Sequence, residues 1–209
     1  MPKFKSDAVI AIVDDDQSVR EGLTSLIRSA GLRIKSFASA PEFLDYLDAD
    51  TPSCLVLDLQ LPGLSGLDLQ KRMAKVGPEI PIIFLTGHGN IPASVQAMKA
   101  GAIEFLTKPV DEQDLLRAIG EAVDRDRQTR RRHAEMRALQ IRYESLTARE
   151  QEVMQQVISG FLNKQIAAEL NIAEYTVKIH RGRVMRKMNA ESLADLVRMA
   201  ESLQIRSCS

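Results

Sequence analysis

The sequence contains little cysteine and no long apolar run. Cys54 and Cys208 are the two cysteines among 209 residues, and neither has neighbours of metal-ligand type. We therefore predict a reducing, cytoplasmic compartment and no disulfide framework. No apolar stretch approaches the roughly 18 to 20 residues that span a membrane, so we expect no membrane association. The N-terminus, MPKFKSDAVIAIVDDD, lacks a small-residue cleavage site after its short apolar run, which predicts a strand there instead of a signal peptide.

The net charge is zero in total but uneven along the chain. Residues 1–120 carry 12 Lys+Arg against 16 Asp+Glu, residues 121–144 carry 7 against 5, and residues 145–209 carry 9 against 7. An acidic N-terminal part and a basic C-terminal part indicate that the two parts of the chain have different partners.

Short apolar runs alternate with amphipathic segments through residue 120. Helical spacing relates Val19 to Leu23 and Leu26, and a capping-box pattern from Ser39 to Glu42 begins a second helix. Strands that alternate with helices predict an α/β fold with a doubly wound, five-stranded parallel sheet. The five apolar runs are Ala8–Val13, Leu32–Phe37, Cys54–Leu57, Ile80–Leu85 and Ala102–Leu106.

The segment between the two ends lacks the usual residues of a flexible linker. EAVDRDRQTRRRHAEMRALQIRYE, residues 121–144, has seven arginines but neither glycine nor proline. A flexible linker would be richer in Gly, Ser or Pro, so we expect a helical linker that extends the preceding segment. Its arginines suit either a solvated helix face or a nucleic-acid contact, and the sequence leaves both open.

No strand pattern follows Ser145. Thr147-Ala148-Arg149-Glu150 matches a capping box, and Gly160 is placed to end the helix that it begins. A short helix over 163–170, a tight connection at 171–173, a helix over 174–188 and another after Asn189 predict an all-α, four-helix domain. A short helix, a tight turn and a basic helix form a helix-turn-helix arrangement.

Polar side chains stand where the predicted strands of the first part end. Ligands bind outside the carboxyl ends of the strands in open parallel sheets, so these groups should meet at one edge. Clustered carboxylates repel unless a cation neutralises them, and Mg²⁺ suits such oxygen ligands. A carboxylate flanked by Mg²⁺ and a lysine has the surroundings of a nucleophile that forms an aspartyl phosphate. The residues are Asp14, Asp15 and Asp16 after the first strand, Asp58 after the third, Thr86 after the fourth and Lys108 after the fifth.

Two other interpretations of these acidic residues remain. A solvated strand edge collects polar side chains without any function. A haloacid-dehalogenase-like phosphohydrolase also combines Mg²⁺ with an aspartyl phosphate, and Asp14-x-Asp16 imitates its DxD pattern, but such an enzyme would not need the basic rear domain. No GxxxxGK[ST] motif is present, so a nucleoside triphosphatase has no support.

Residues 7–122 resemble the receiver domain of bacterial two-component response regulators, which has a flavodoxin-like fold. The matching pieces are IVDDDQSVR, LVLDLQLPGLSG, PIIFLTGHG and AIEFLTKP. The resemblance implies that a sensor histidine kinase phosphorylates Asp58. It also implies that Mg²⁺ is bound by Asp15, Asp58 and the backbone carbonyl of Gln60, with Asp14 acting largely through water.

The same resemblance assigns residues around the phosphoryl group. Thr86 and Lys108 would contact it, Lys108-Pro109 would be a cis bond, and Thr86 with Phe105 would form the switch pair. Phe105 stands where many receivers carry tyrosine, so its ring should favour the inward position and the switch should be less sharp. Asp16 has no role in this scheme. His88 is either an ordinary loop residue or an influence on acyl-phosphate hydrolysis.

The helix predicted over 174–188 has an apolar and a basic face. Val177, Val184 and Met188 share the apolar face. Residues 145–204 resemble the LuxR-type DNA-binding domain through LTAREQEVM, GFLNKQIAAEL, TVKIHRGRVMRKM and SLADLVRMA. The resemblance implies base contacts from Lys178, Ile179, Gly182 and Arg183, and phosphate contacts from Lys164, His180, Arg181 and Arg186.

Two residues depart from the LuxR-type pattern. Gly182 stands where a side chain that contacts bases is often found. Glycine there costs roughly 1 kcal/mol of helix propensity. It either permits close approach of the backbone to the DNA or shifts base recognition to Arg183. Ala173 stands where a Ser or Thr N-cap is usual, a loss of about 1 kcal/mol. The helix therefore begins uncapped, or begins later with Thr176 as its cap. Thr176 is counted among the DNA-binding residues in either case.

Together the two resemblances describe a response regulator of the FixJ/NarL type. We expect no enzymatic activity except that the receiver catalyses its own phosphorylation and dephosphorylation. They imply a receiver at 1–122, a helical linker at 123–144 and a DNA-binding domain at 145–209. Phosphorylation would promote a homodimer through the fourth helix and fifth strand, and the dimer would bind double-stranded promoter DNA, with RNA polymerase a further candidate partner. A phosphorylation-independent DNA-binding regulator is the alternative with the same fold.

Overall fold

The computed structural model describes residues 8–47, 51–87 and 91–205. His88 and Cys208 lie outside these ranges, so the interpretation of His88 stays open. Within the ranges, no helix is both long enough and apolar enough to cross a membrane. The elements are β1 Val9–Val13, α1 Gln17–Ser29, β2 Arg33–Phe37, α2 Ala40–Leu47, β3 Cys54–Asp58, α3 Gly66–Val76, β4 Ile82–Thr86, α4 Ile91–Lys99, β5 Glu104–Thr107, α5 Glu112–Glu144, α6 Ala148–Ile158, α7 Asn163–Glu169, α8 Glu174–Met188 and α9 Leu193–Ser202.

The strands form one parallel sheet in the order β2-β1-β3-β4-β5, which confirms the predicted fold class. β3 and β4 are buried along their whole length, because helices cover both faces of the sheet. One core cluster, which includes Phe43 and Leu69, lies on the side of α2, α3 and α4. The other, which includes Ile27 and Ile119, lies on the side of α1 and α5.

Four of the five apolar runs extend beyond their strands at the N-terminal end. β4 begins at Ile82 rather than at Ile80, because Pro81 has no N–H to donate to a neighbouring strand. The run before β5 begins at Ala102, whose N–H donates to the Ala97 carbonyl oxygen at the end of α4 (3.1 Å). Ile80 and Ala102 are nevertheless buried. Their apolar character therefore reflects the core, which the strands share with the segments that enter them.

One of the two predicted capping boxes is complete. At the start of α6, the Glu150 N–H donates to Thr147 Oγ1 (3.3 Å) and the Thr147 N–H donates to the Glu150 carboxylate (2.9 Å). At the start of α2, the Glu42 N–H donates to Ser39 Oγ (3.4 Å), but the Glu42 carboxylate accepts from the Ala38 N–H (2.8 Å). The second box is therefore displaced by one residue.

α5 is one continuous helix of 33 residues, which confirms the predicted helical linker. The chain divides within it into two compact units, Met1–Arg130 and Arg131–Ser209. In the first unit, the buried Asp126 pairs with Arg130 (2.8 Å), whose guanidinium also donates to the Thr51 carbonyl oxygen (2.8 Å). Arg130 thus fastens α5 to the segment that precedes β3.

In the second unit, α6, α7, α8 and α9 surround a separate core. Val177, Val184 and Met188 of α8 are buried in it, as predicted. Lys187 bonds to the buried Glu150 carboxylate (2.6 Å), so the C-terminal part of α8 is tied to the first turn of α6. α8 then ends at Asn189, whose left-handed backbone (φ 58°) closes the helix.

Candidate functional site

Two buried carboxylates lie at the carboxyl edge of the sheet. Asp14 directly follows β1 and is 1% exposed, and Asp58 is the last residue of β3 and is 7% exposed. β1 and β3 are neighbours in the sheet, so two residues distant in sequence stand at adjoining strand ends. An ionised carboxylate is costly to bury unless charges and hydrogen bonds compensate. The surrounding groups supply both.

Lys108 is the charge partner of both carboxylates. Its Nζ lies 2.6 Å from Asp14 Oδ2 and 2.7 Å from Asp58 Oδ2. The Lys108 backbone N–H donates to the Thr86 carbonyl oxygen (2.7 Å), which holds the residue beside the end of β4. Its peptide bond to Pro109 is cis, as expected. One ammonium group therefore bridges two strand ends.

Backbone N–H groups hold the other oxygen of each carboxylate. Asp14 Oδ1 accepts from the Asp16 N–H and Asp58 Oδ1 from the Gln60 N–H, both at 3.0 Å. Burial raises the pKa of the Asp14 carboxyl above its usual value, although the bonds from Lys108 and the Asp16 N–H oppose that change. Burial alone would lower the pKa of Lys108, but the two carboxylates outweigh it and raise that pKa. Lys108 is therefore held as a cation.

Asp14, Asp15 and Asp58 form a cluster that fits a divalent metal ion. One carboxylate oxygen of each lies within 4.8 Å of the others. Their negative charges exceed the positive charge of Lys108 by two, which is the charge of Mg²⁺. All donors are oxygens, and Asp15 is exposed, so the cluster is open to water on one side. Mg²⁺ prefers oxygen ligands and usually keeps several waters. The Gln60 carbonyl as a further ligand stays a prediction.

The predicted switch residues lie on adjoining strands. Thr86 is the last residue of β4 and is fully buried, and Phe105 is partly buried on β5. The Phe105 ring centroid lies 6.3 Å from that of Phe84, and the ring packs against the core cluster on the side of α2, α3 and α4. A coupled movement of the two residues stays a prediction.

Asp16 and Arg20 have roles that the sequence interpretation missed. Asp16 is the N-cap of α1, and its carboxylate accepts the N–H groups of Ser18 (2.8 Å) and Val19 (3.3 Å). An aspartate directly before a helical pattern is an N-cap signal, so the sequence did contain this information. The Arg20 guanidinium donates to the Asp14 carbonyl oxygen (2.8 Å). Because Asp16 caps α1, the Asp14-x-Asp16 spacing does not add a second catalytic carboxylate of the phosphohydrolase kind.

Gly66 was also missed, and it allows α3 to begin against the end of β3. A Cβ at this position would overlap the Asp58 carbonyl oxygen and would lie 3.1 Å from Phe84 Cε1. The Gly66 N–H donates to the Leu59 carbonyl oxygen (3.1 Å). Glycine is therefore required for the backbone contact that supports Asp58. No local pattern signals this requirement, because it arises from packing between two elements.

The second unit presents the basic face that the sequence predicted. Lys178, Ile179, Gly182, Arg183 and Arg186 are all exposed on α8. In the described part of the chain, no ion pair engages Lys178, Arg183 or Arg186. Their charges are therefore available to a partner.

The other residues predicted to contact DNA differ in exposure. Lys164 is exposed in the first turn of α7, whereas Thr176, His180 and Arg181 are only partly exposed. The Arg181 guanidinium donates to Asn163 Oδ1 (3.2 Å) and joins α8 to α7. Arg181 therefore has a contact within the domain besides its predicted phosphate contact.

α8 begins at Glu174, with Ala173 as an N-cap that makes no side-chain hydrogen bond. The alternative of a later start capped by Thr176 is wrong. The N–H groups of Thr176 and Val177 already donate to the Ala173 carbonyl oxygen, at 2.9 and 3.2 Å. The first turn of the basic helix consequently includes Glu174 and Tyr175.

Both parts of the chain match family models. Residues 10–120 match the response regulator receiver domain, and residues 144–200 match the bacterial regulatory proteins of the luxR family. The chain belongs to the FixJ/NarL-type response regulators. A two-component response regulator of this type regulates transcription and carries a receiver domain and a LuxR-type DNA-binding domain.

Relatives resemble this response regulator along nearly its whole length. Nodulation protein W of Bradyrhizobium diazoefficiens is 53% identical over 198 residues, which cover 95% of this chain and 87% of that protein. Transcriptional regulatory protein FixJ of the same species is 40% identical over 191 residues, which cover 91% and 93%. Among solved structures, the response regulator StyR is 48% identical, with a TM-score of 0.85, and the match covers 94% of this chain and 99% of that one.

Proposed function

We propose that this response regulator is switched by phosphorylation of Asp58 and then binds promoter DNA as a homodimer. The observation that carries the proposal is the Lys108 ammonium group, 2.6 and 2.7 Å from the carboxylates of Asp14 and Asp58 beside an acidic cluster. In this proposal residues 1–122 form the receiver, 123–144 the linker and 145–209 the DNA-binding domain. The proposed location is the cytoplasm, where a sensor histidine kinase and DNA both reach the protein.

Asp58 is the proposed phosphoacceptor. A carboxylate oxygen of Asp58 attacks the phosphorus of a kinase phosphohistidine, a P–O bond forms, and the P–N bond breaks with its electron pair returning to the imidazole. Lys108 already contacts Asp58, so it is placed to pair with an oxygen of the arriving phosphoryl group. The Thr86 hydroxyl supplies a hydrogen bond to the same group. The chemistry of the receiver is limited to gaining and losing its own phosphoryl group.

Asp14, Asp15, Asp58 and the backbone carbonyl of Gln60 are the proposed holders of Mg²⁺. The bound ion would supply positive charge that offsets the crowded carboxylates and the phosphoryl oxygens. Asp14 is held by Lys108 and the Asp16 N–H, so its part is to fix the shape of the site and to act largely through water.

Thr86 and Phe105 form the proposed switch, and α4 carries the proposed dimer surface. Once Thr86 turns toward the phosphoryl group, the Phe105 ring repacks and shifts the population of α4–β5 conformations. Ile91, Val95 and Met98 lie at helical spacing on α4 and are 77%, 47% and 45% exposed. Apolar side chains exposed in one stripe suit burial against a second copy of the chain.

DNA binding is assigned to the basic face of α8 and to its neighbours. Lys178, Ile179, Gly182 and Arg183 are proposed to face the bases, because the exposed side of a helix-turn-helix recognition helix enters the major groove. The proposed phosphate-binding residues are Lys164, His180, Arg181 and Arg186, with Thr176 near the groove. RNA polymerase is a further proposed partner at the promoter.

The test is phosphorylation with acetyl phosphate and Mg²⁺, followed by intact mass and DNA-binding measurements. The wild type should gain about 80 Da, the mass of one phosphoryl group, which replaces the single negative charge of the carboxylate with close to two at pH 7. It should also dimerise and bind DNA more tightly. Asp58→Asn should show none of these changes.

Asp45→Asn is the matched control, because Asp45 is an exposed aspartate of α2 away from the acidic cluster. It should respond as the wild type does. If Asp58→Asn and wild type bind DNA equally in the presence of a confirmed adduct, DNA binding is constitutive. A phosphoryl adduct that persists on Asp58→Asn would move the phosphoacceptor to another residue.

A further inference from the structure

The outward side of α8 carries a stripe that combines a ring, a branched side chain, a glycine and an arginine. Tyr175, Ile179, Gly182 and Arg186 all lie between about 140° and 200° from the buried Val177, at 100° per residue. Tyr175 is 74% exposed and Ile179 is 39% exposed. These four residues, called the outer stripe below, face directly away from the core of the second unit.

Gly182 has no reason to be glycine within its own domain. A Cβ built on it meets no atom of the described residues within 4 Å, and its backbone is not left-handed. Glycine is the least favourable residue after proline inside a helix, so a side chain here would fit and would stabilise α8. The absent side chain instead leaves the helix backbone open to something outside the protein.

Tyr175 also lacks an internal function. The rings of Tyr46 and Tyr143 pack against core clusters, whereas Tyr175 belongs to no core cluster of the described residues. It stands in the first turn of α8, one turn before Ile179. The N-terminal residues of a recognition helix are those that meet base edges, so the ring and the isoleucine side chain form an apolar surface at the reading end.

The charges beside the outer stripe identify its occupant as nucleic acid. Lys178, Arg183 and Arg186 are exposed, and the described residues offer them no ion-pair partner. Such cations match the negative potential of a DNA groove, with Lys178 and Arg183 at the acceptor atoms of the base edges and Arg186 at the phosphates. The apolar group that B-DNA displays in its major groove is the C5-methyl group of thymine. Tyr175 and Ile179, an apolar pair flanked by basic residues, therefore match thymine methyl groups within the negatively charged groove.

We propose that Tyr175 and Ile179 determine sequence specificity by contacting thymine methyl groups, and that Gly182 lets the backbone of α8 approach the bases closely enough for those contacts. Tyr175 is thereby a specificity-determining residue of the first turn. The inference rests on the proposed DNA-binding function, and its test separates the two.

The first experiment selects binding sites from random double-stranded DNA with the full chain, treated with Mg²⁺ and acetyl phosphate. The wild type should enrich a motif that contains thymines, and Tyr175→Ala should lose the preference at one or more of them. In the enriched site, replacing those thymines by deoxyuridine removes only the methyl group. At the thymines whose preference Tyr175→Ala has lost, each replacement should weaken wild-type binding about fourfold, the value of one buried methyl group, and should leave Tyr175→Ala unaffected.

Two variants serve as controls for the ring. Tyr175→Phe should keep the thymine preference, since the ring rather than the hydroxyl makes the contact. Ile141→Ala removes a side chain that is 67% exposed on α5 within the same unit, and it should enrich the wild-type motif. If the wild type enriches no motif, the proposed DNA-binding function itself fails. If Tyr175→Ala enriches the wild-type motif with the same uridine response, the ring does not read DNA and the inference is overturned.

Gly182→Ala provides a second, independent test. Because the added methyl group meets open space within the protein, the variant should unfold at a higher temperature than the wild type. Its affinity for the selected site should nevertheless fall tenfold or more, while its affinity for unrelated DNA should stay within twofold. A Gly182→Ala protein that binds the selected site as the wild type does would overturn the close approach.

Discussion

Gly66→Ala is expected to damage both the stability of the receiver and its phosphorylation. A Cβ on Gly66 falls inside the 3.0 Å limit that real Cβ atoms essentially never cross, and the atom that it meets is the Asp58 carbonyl oxygen. A backbone atom cannot rotate away as the end of a side chain can. Either the start of α3 or the end of β3 must therefore retreat by about half an ångström or more.

The retreat has a cost because both elements are held. Asp58 is paired in register with Leu85, the Leu59 N–H donates to the Leu85 carbonyl oxygen (2.9 Å), and the Gly66 N–H donates to the Leu59 carbonyl oxygen (3.1 Å). Overpacking of this kind costs about 1 to 3 kcal/mol. At roughly 4 °C for each kcal/mol in a domain of this size, the unfolding temperature of the receiver should fall by about 4 to 12 °C.

The same shift moves the carboxylate that the proposed reaction uses. Asp58 Oδ2 lies 2.7 Å from Lys108 Nζ, and a displacement of about 1 Å can cost a hundredfold in rate. The rate of phosphorylation by acetyl phosphate should therefore fall tenfold or more. Thermal unfolding followed by circular dichroism measures the first effect, and the time course of the intact-mass adduct measures the second.

Gly22→Ala is the matched control for Gly66→Ala. Gly22 lies inside α1, and a Cβ built on it meets no atom within 4 Å in the part of the chain that the structure describes. The added methyl group should stabilise the receiver by roughly 0.5 to 1 kcal/mol and leave the rate of phosphorylation unchanged. The reasoning is refuted if Gly66→Ala unfolds and reacts as the wild type does, or if the two variants shift stability in the same direction.

Three further outcomes are expected from other sites. Mg²⁺ at 100 times its Kd should stabilise the wild type by about 2.7 kcal/mol in urea titrations, Asp14→Asn should lose most of this gain, and Asp45→Asn should keep it. Burial raises the pKa of Glu150, but hydrogen bonds from Lys187 and the Thr147 backbone N–H outweigh burial, and the net effect is a lowered pKa. The stability that ionised Glu150 contributes is therefore present above pH 4.5, the ordinary pKa of the group, and is lost as the pH falls through its lowered pKa. Glu150→Gln should therefore unfold its domain more easily at pH 7 and show a weaker pH dependence in acid melts. Burial, followed by the charge of Asp126, raises the pKa of the Cys54 thiol, so iodoacetamide should spare Cys54 in the folded protein and alkylate it in urea.

The fold was predictable from the sequence because its signals are local. The alternation of apolar runs and amphipathic segments predicted the parallel sheet, and the run at Cys54–Leu57 differs from β3 by a single residue. The helix predicted over 174–188 has the observed bounds of α8. The missing N-cap at Ala173 suggested a later start that did not occur, because backbone bonds from the first turn suffice to begin the helix.

The acidic site was only partly predictable. Its ionisable residues could be predicted because each lies at the carboxyl end of a strand, and a parallel sheet places these ends at one edge. The bridge made by Lys108 to two carboxylates could not be predicted, since the sequence gives the ends of strands but not the distances between them. Gly66 was missed for the same reason, as its requirement lies in a contact with Asp58. The N-cap role of Asp16 was missed, although an aspartate directly before a helical pattern is a recognisable N-cap signal.

The Lys108 bridge has a consequence for the biosynthesis of the protein. Lys108 is 94 positions from Asp14 and 50 from Asp58, and it follows the last strand of the sheet. Contacts with such separation require loop closure over most of the domain, so they form with the sheet rather than before it. On a ribosome that makes the chain from its N-terminus, a fragment that ends before residue 108 contains both acids without their shared cation. A complete acidic site therefore requires synthesis through residue 108 and closure of the sheet, so no shorter nascent fragment can carry it.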